Sequence, residues 1–175
     1  GGLGIDTLDC TQSTAAVQID LAAGTASGGF AQGDTLIAIE NLKGSAFDDT
    51  LVGTAGANVI QAGAGNDTIR DGRGNDILYG EAGDDTLVWG GGVDGFVGGI
   101  GQDTVDLSGL TQGATVNIAG RLVVSGTNRL TMANVERFIG TDHADTFVGS
   151  AAGDIIGAGD GNDTITGGLG NDILD

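Results

Sequence analysis

The chain has no proline, one cysteine (Cys10) and one histidine (His143), and aromatic side chains make up 4% of its 175 residues. A single cysteine cannot form an internal disulfide, so no covalent framework holds the fold, and Cys10 reads as a small buried side chain. A single histidine with no HExxH around it excludes a protease-type zinc centre. His143 reads as a turn residue. Only 6 basic residues stand against 24 acidic ones, for a net charge of −18. That shortage excludes a nucleic-acid partner, whose phosphates need a basic face, and an anionic membrane surface. No apolar run approaches membrane-spanning length, so no membrane insertion is expected in this segment, and no basic-then-apolar leader stands at the start. No helical period of useful length is visible. A dry interior has to be built from small aliphatics among the 39% apolar residues.

Glycine is abundant, at 36 residues, and it falls on a schedule. Residues 62–88 read AGAGNDTIR, DGRGNDILY and GEAGDDTLV, with no gap between units. Asp stands at the sixth place (Asp67, Asp76, Asp85), Gly at the fourth (Gly65, Gly74, Gly83) and an aliphatic at the eighth (Ile69, Leu78, Leu87). So strict a period means stacked copies of one small unit. Further units start at Gly1, Gly44, Gly53, Trp89, Gly98, Gly140, Gly149, Ala158 and Gly167. The period fails over 10–43 and 107–139, and these two breaks resemble each other: AVQIDL at 16 answers ATVNIA at 114, and IENLKG at 39 answers VERFIG at 135. A longer unit of about 97 residues is therefore superposed on the short one. The organisation expected is a single nonapeptide at 1–9, a spacer at 10–43, a seven-repeat block at 44–106, a second spacer at 107–139 and a four-repeat block at 140–175.

One inward residue flanked by outward ones makes a strand of about three residues, and glycines at the second and fourth places supply positive φ for the turn. Two units make one lap, and laps pair through parallel ladders about 4.8 Å apart. The fold predicted is all-β, a parallel β-roll (β-solenoid) with two nonapeptides per turn, in which the breaks continue the stack as wider turns.

The sixth-place residues are Asp6, Asp49, Asn58, Asp67, Asp76, Asp85, Asp94, Asp103, Asp145, Asp154, Asp163 and Asp172. A turn needs only a small polar residue there, so folding alone does not explain the charge. In an eighteen-residue lap Asp67 lies near Asp85 and Asp76 near Asp94. Unpaired carboxylates so placed repel and raise one another's pKa. A hard divalent cation relieves this. Ca²⁺ takes six to eight oxygens at about 2.3–2.6 Å and accepts main-chain carbonyls, whereas Mg²⁺ demands stricter geometry and Zn²⁺ wants Cys or His. Catalytic carboxylates come as a single pair and these form ladders, so no enzyme activity and no catalytic or organic-cofactor residue is expected.

The repeat GGxGxDxUx, with U a large aliphatic, resembles the nonapeptide of RTX (repeats-in-toxin, haemolysin-type calcium-binding) proteins. The resemblance implies calcium between laps, an extracellular, secreted or cell-surface location, and commonly type I secretion. It further implies that each ion takes oxygens from places two, four and six of one unit and places one, three and six of the unit eighteen residues on. One site then comprises Gly63, Gly65, Asp67, Gly80, Ala82 and Asp85, and the next Gly72, Gly74, Asp76, Trp89, Gly91 and Asp94. A third comprises Glu81, Gly83, Asp85, Gly98, Ile100 and Asp103. Asp145 with Asp163, Asp154 with Asp172 (alongside Gly167 and Leu169), Asp49 with Asp67 and Asn58 with Asp76 bring the total to seven candidate ions. Seven would take the net charge from −18 to −4, which couples ion binding to folding. Phe47, His143 and Ala152 at the fourth place, and Asn58 at the sixth, depart from the pattern. Asp6 is expected to lack a partner one lap away, and Trp89 to pack at the surface or edge. The function expected is a calcium-folded, rigid structural, adhesin or filament segment of a secreted bacterial protein, able to meet further copies end to end. The alternative is the accessory repeat segment of a secreted enzyme or haemolysin-type toxin.

Overall fold

A nine-residue period leaves room for one inward apolar residue between two outward ones before the chain must turn. The computed structural model describes residues 1–175 and contains nineteen strands, most of them three residues long. In chain order they are β1 (Thr7–Asp9), β2 (Gln18–Asp20), β3 (Thr25–Ser27), β4 (Asn41–Lys43), β5 (Thr50–Val52), β6 (Val59–Ala64), β7 (Thr68–Arg70), β8 (Ile77–Ala82), β9 (Thr86–Val88) and β10 (Val93–Ile100). There follow β11 (Thr104–Asp106), β12 (Thr115–Asn117), β13 (Leu122–Ser125), β14 (Asn128–Ala133), β15 (Arg137–Ile139), β16 (Thr146–Val148), β17 (Ile155–Gly157), β18 (Thr164–Thr166) and β19 (Ile173–Leu174). The one helical turn is a 3-10 turn at Gly29–Ala31.

The strands form two sheets. One has the order β1-β4-β6-β8-β10-β14-β13-β12-β16-β18 and the other β3-β2-β5-β7-β9-β11-β15-β17-β19. Within the nonapeptide runs the chain alternates between sheets, and each strand pairs in parallel with the one eighteen residues on: Val59 with Ile77, Thr68 with Thr86, Thr86 with Thr104. This register stacks the eighth-place side chains in two columns. Leu42, Ile60, Leu78 and Phe96 make one, and Ile19, Leu51, Ile69, Leu87, Val105, Phe138 and Ile156 the other. All are buried in one core. Each contributes about 1.5–3 kcal/mol of burial, so the columns hold the roll wherever the turns are neutral.

The two breaks are built alike. Across the first, β1 pairs in parallel with β4 (Thr7 with Asn41); across the second, β11 pairs in parallel with β15 (Thr104 with Arg137). Each break also carries a hairpin, and here the structure departs from an all-parallel expectation. β2 pairs antiparallel with β3, Gln18 opposite Ser27, and β12 pairs antiparallel with β13, Thr115 opposite Val124. The reversals close on a side-chain acceptor: Ala23 N–H donates to Asp20 Oδ1 and Gly120 N–H to Asn117 Oδ1, both at 2.7 Å. Gly24 (φ 69°) and Arg121 (φ 56°) take the left-handed position that completes each turn. In the second break β14 adds a further strand between β13 and β10. Cys10 is buried and unpaired, and burial pushes its thiol up.

Candidate metal centre

The turns position the sixth-place acids by bringing main chain against main chain. At Gly83 the backbone has φ 136°, and a Cβ there would run into the carbonyl oxygen of Gly65, one lap below. Only glycine meets both demands. The carbonyls of Gly65, Gly72, Gly74, Glu81 and Gly83 all face the following lap in this way. Carbonyls also reach back from the upper lap. Gly98 O faces Gly80, Gly167 O faces Gly149, and Ala82 O and Ile100 O accept the N–H groups of Gly65 and Gly83 at 2.9 Å. Other expected main-chain positions have different neighbours. Gly63 lies against Ser45 O, Gly80 against the carboxylate of its own Asp85 and Gly91 against the Asn128 side chain. Leu169 donates to Ser150 O.

In seven pairs a sixth-place side chain reaches down one lap with its Oδ1. The Asp67 N–H donates to Asp85 Oδ1 and the Asp76 N–H to Asp94 Oδ1, both at 2.8 Å. Asp85 pairs likewise with Asp103, Asp49 with Asp67 and Asn58 with Asp76. Asp145 pairs with Asp163 and Asp154 with Asp172. The structure therefore brings the main-chain N–H of one residue against the Oδ1 of the other in all seven expected pairs.

The other oxygen divides them into two classes. Oδ2 of Asp67, Asp76, Asp85 and Asp103 is buried without any hydrogen-bond partner. By contrast, the units starting at 44, 53, 140 and 149 carry a hydroxyl at the second place, and it closes the loop on its own acid. Ser45 Oγ donates to Asp49 Oδ1 at 2.8 Å, with Ser45 N on Oδ2. Thr141 holds Asp145, Ser150 holds Asp154 and Thr54 holds Asn58 in the same manner. These four units are also the ones that carry Phe47, Asn58, His143 and Ala152. In these four units the sixth-place residue has found donors within its own turn.

Three features escaped the sequence reading. First, Asp6 does have a partner: its N–H donates to Glu40 Oε2 at 2.8 Å, and the Asp103 N–H donates to Glu136 Oε2 at 3.0 Å. These glutamates stand two residues before the inward Leu42 and Phe138, as each Asp stands two before its aliphatic, so the signal was present in different chemistry. Secondly, Trp89 is 1% exposed, not at the surface, because its indole Nε1 donates to Asp94 Oδ2 at 2.6 Å and carries the ring inward. Thirdly, Asp71, at the first place of its unit, is fully buried; Gly90 N–H donates to its Oδ1 at 2.7 Å, and its Oδ2 has no partner.

Burial dominates the electrostatics. It pushes Asp67 up to about 7, Asp71 to about 8, and Asp76 and Asp85 to about 6, against the pull of the main-chain donors. Asp94 and Asp103 are raised from the same cause. The charges acting on these groups are acidic: Asp85, Asp49 and Asp48 on Asp67, and Asp94 and Asp76 on Asp71. Buried carboxylate oxygens with no donor and no base are the donor set a hard cation requires, so the residues fit calcium. A family model described as the RTX calcium-binding nonapeptide repeat matches the chain in four copies, at residues 43–70, 62–96, 71–105 and 139–174. No curated protein matches the chain.

Proposed function

The chain belongs to the RTX family of calcium-binding nonapeptide repeats, and from that premise we propose that it is a calcium-gated structural segment of a secreted protein. The reading is carried by the orphaned Oδ2 atoms of Asp67, Asp76, Asp85 and Asp103. An unpartnered buried carboxylate is costly, and a divalent ion supplies the charge that removes the cost.

The ions belong, on this reading, in the gaps of Asp67 with Asp85, Asp76 with Asp94 and Asp85 with Asp103, and in a fourth closed by Asp103 with Glu136. The gaps at Asp49, Asn58, Asp145 and Asp154 are already satisfied by Ser45, Thr54, Thr141 and Ser150. The seven-repeat block at 44–106 thus carries the calcium response, and the 140–175 block serves as a mostly self-satisfied extension. Where calcium is scarce the centre of the roll repels itself and stays loose; near the millimolar concentrations typical of extracellular modules it closes and stiffens.

A role as a rigid adhesin or filament segment is favoured by the hairpins of the two breaks, which recur with the same register about 97 residues apart. An accessory role beside a secreted enzyme or toxin predicts a catalytic or membrane-active domain in the flanking sequence instead. The deciding experiment is calorimetry with circular dichroism on the chain stripped with EDTA. Calcium should restore strand signal with uptake of about four ions. No spectral change on adding calcium would overturn the reading, and uptake of seven would overturn the division into two classes of gap.

A further inference from the structure

Asp71 does not belong to the sixth-place ladder. It stands at the first place of its unit, where the chain carries Ala62, Gly80 or Gly98 in neighbouring units. There its side chain turns inward to full burial. One carboxylate oxygen from each of Asp71, Asp76 and Asp94 lies within 4.8 Å of the other two. Oxygens on opposite sides of a calcium ion are about 4.6–5.2 Å apart, given bond lengths of about 2.3–2.6 Å, so one ion can touch all three. The Oδ2 atoms of Asp71 and Asp76 are buried and unpartnered, and Trp89 holds Asp94 in place through its Oδ2. A cavity of about 330 Å³, lined by Arg73, Gly74, Gly90 and Gly92 among others, lies on the far side of Gly90, whose N–H donates to Asp71 Oδ1.

We propose that Asp71, Asp76 and Asp94 form a three-carboxylate centre that binds its calcium ion more tightly than any other gap in the roll and fills first. The proposal rests on the calcium reading above and adds to it a ranking and a residue. Affinity of such oxygen sites follows the charge of their ligands. The gaps of Asp67 with Asp85 and Asp85 with Asp103 offer two carboxylates; this one offers three, and its charge is balanced by a trivalent lanthanide of similar size.

Trp89 is the only tryptophan in the chain, and its indole is bonded to one of the three acids, so it reports on this gap. The test is a titration of the whole EDTA-stripped chain with terbium, reading emission sensitised through Trp89, and with calcium, reading Trp89 fluorescence beside circular dichroism. Sensitised emission should saturate within the first equivalent of terbium. Asp71→Asn keeps an acceptor for the Gly90 N–H, so it should still gain strand signal with calcium. Its Trp89-reported midpoint should rise about tenfold, while Asp160→Asn, at an exposed turn, should leave it unchanged. A midpoint within twofold of the parent would overturn the proposal, and so would emission that saturates only after later equivalents. The wild-type titration carries the test if Asp71→Asn does not fold. Absence of any calcium-induced strand signal would instead remove the broader calcium reading on which the proposal stands.

Discussion

Asp85 uses its two oxygens for two tasks. Oδ1 accepts the Asp67 N–H from the lap below, and Oδ2 lies free and buried above it. Asp85 therefore faces two proposed ions, whereas the half-buried Asp172 answers only Asp154. Asp85→Asn should weaken calcium-induced folding by about tenfold or more in midpoint, since the ligand charge is lost in two gaps. Asp172→Asn should shift it much less, and paired calcium titrations by circular dichroism would show the difference. Glu81 is strained in another way. It holds the second place with φ 78°, where most units of the central block have glycine. Glu81→Gly should raise stability by about 1 kcal/mol, the order of the left-handed penalty for a residue with a Cβ. Thermal melts in saturating calcium would measure it.

The nonapeptide exists in two versions at the scale of the element. With glycine at the second place, as in Gly63 and Gly72, the turn leaves the acid open; with Ser or Thr, as in Ser45 and Thr141, the turn ties the acid down. Ser150→Gly should cost about 1 kcal/mol, the net worth of the lost hydroxyl bond, in calcium and in EDTA alike, because that turn is not waiting for an ion. Gly83→Ala is predicted to be far more damaging. It places a Cβ against Gly65 O and forces alanine to φ 136°, so the calcium-loaded roll should lose several degrees of melting temperature, or about 2 kcal/mol or more. The breaks show how a roll absorbs a longer lap. Glu40 and Glu136 span the distance that Asp covers elsewhere, reaching the N–H groups of Asp6 and Asp103 with one more methylene.

The whole molecule carries 24 acids against 6 bases, and its response to pH follows from where the buried ones sit. Asp67, Asp71, Asp76 and Asp85 have folded-state values raised to between about 6 and 8. Between the unfolded carboxylate range near 3.9 and those values the folded chain binds more protons than the unfolded one. Stability without calcium is therefore present below about pH 4 and is lost as pH rises through about 6 to 8. Strand signal in EDTA should be greatest under mild acid and fade toward pH 8, and calcium should abolish that fall. A flat profile in EDTA, recorded by circular dichroism, would contradict this account.

The nine-residue period determined the two-unit lap, the apolar columns and the pairing of acids eighteen residues apart, because each depends only on which residues recur and how far apart they fall. The substitutions at Phe47, Asn58, His143 and Ala152 even marked the gaps that differ. The tertiary structure alone decided which carboxylate oxygens have donors. That depends on where a hydroxyl, an indole or a main-chain N–H points once the laps have stacked, and such contacts join residues the period treats as equivalent. Ser45 and Gly63 hold the same place in their units, yet one closes its gap and the other leaves it open. Asp71 and Trp89 share the first place, and only packing turns both inward beside Asp94, since burial is a property of the stack and not of the unit.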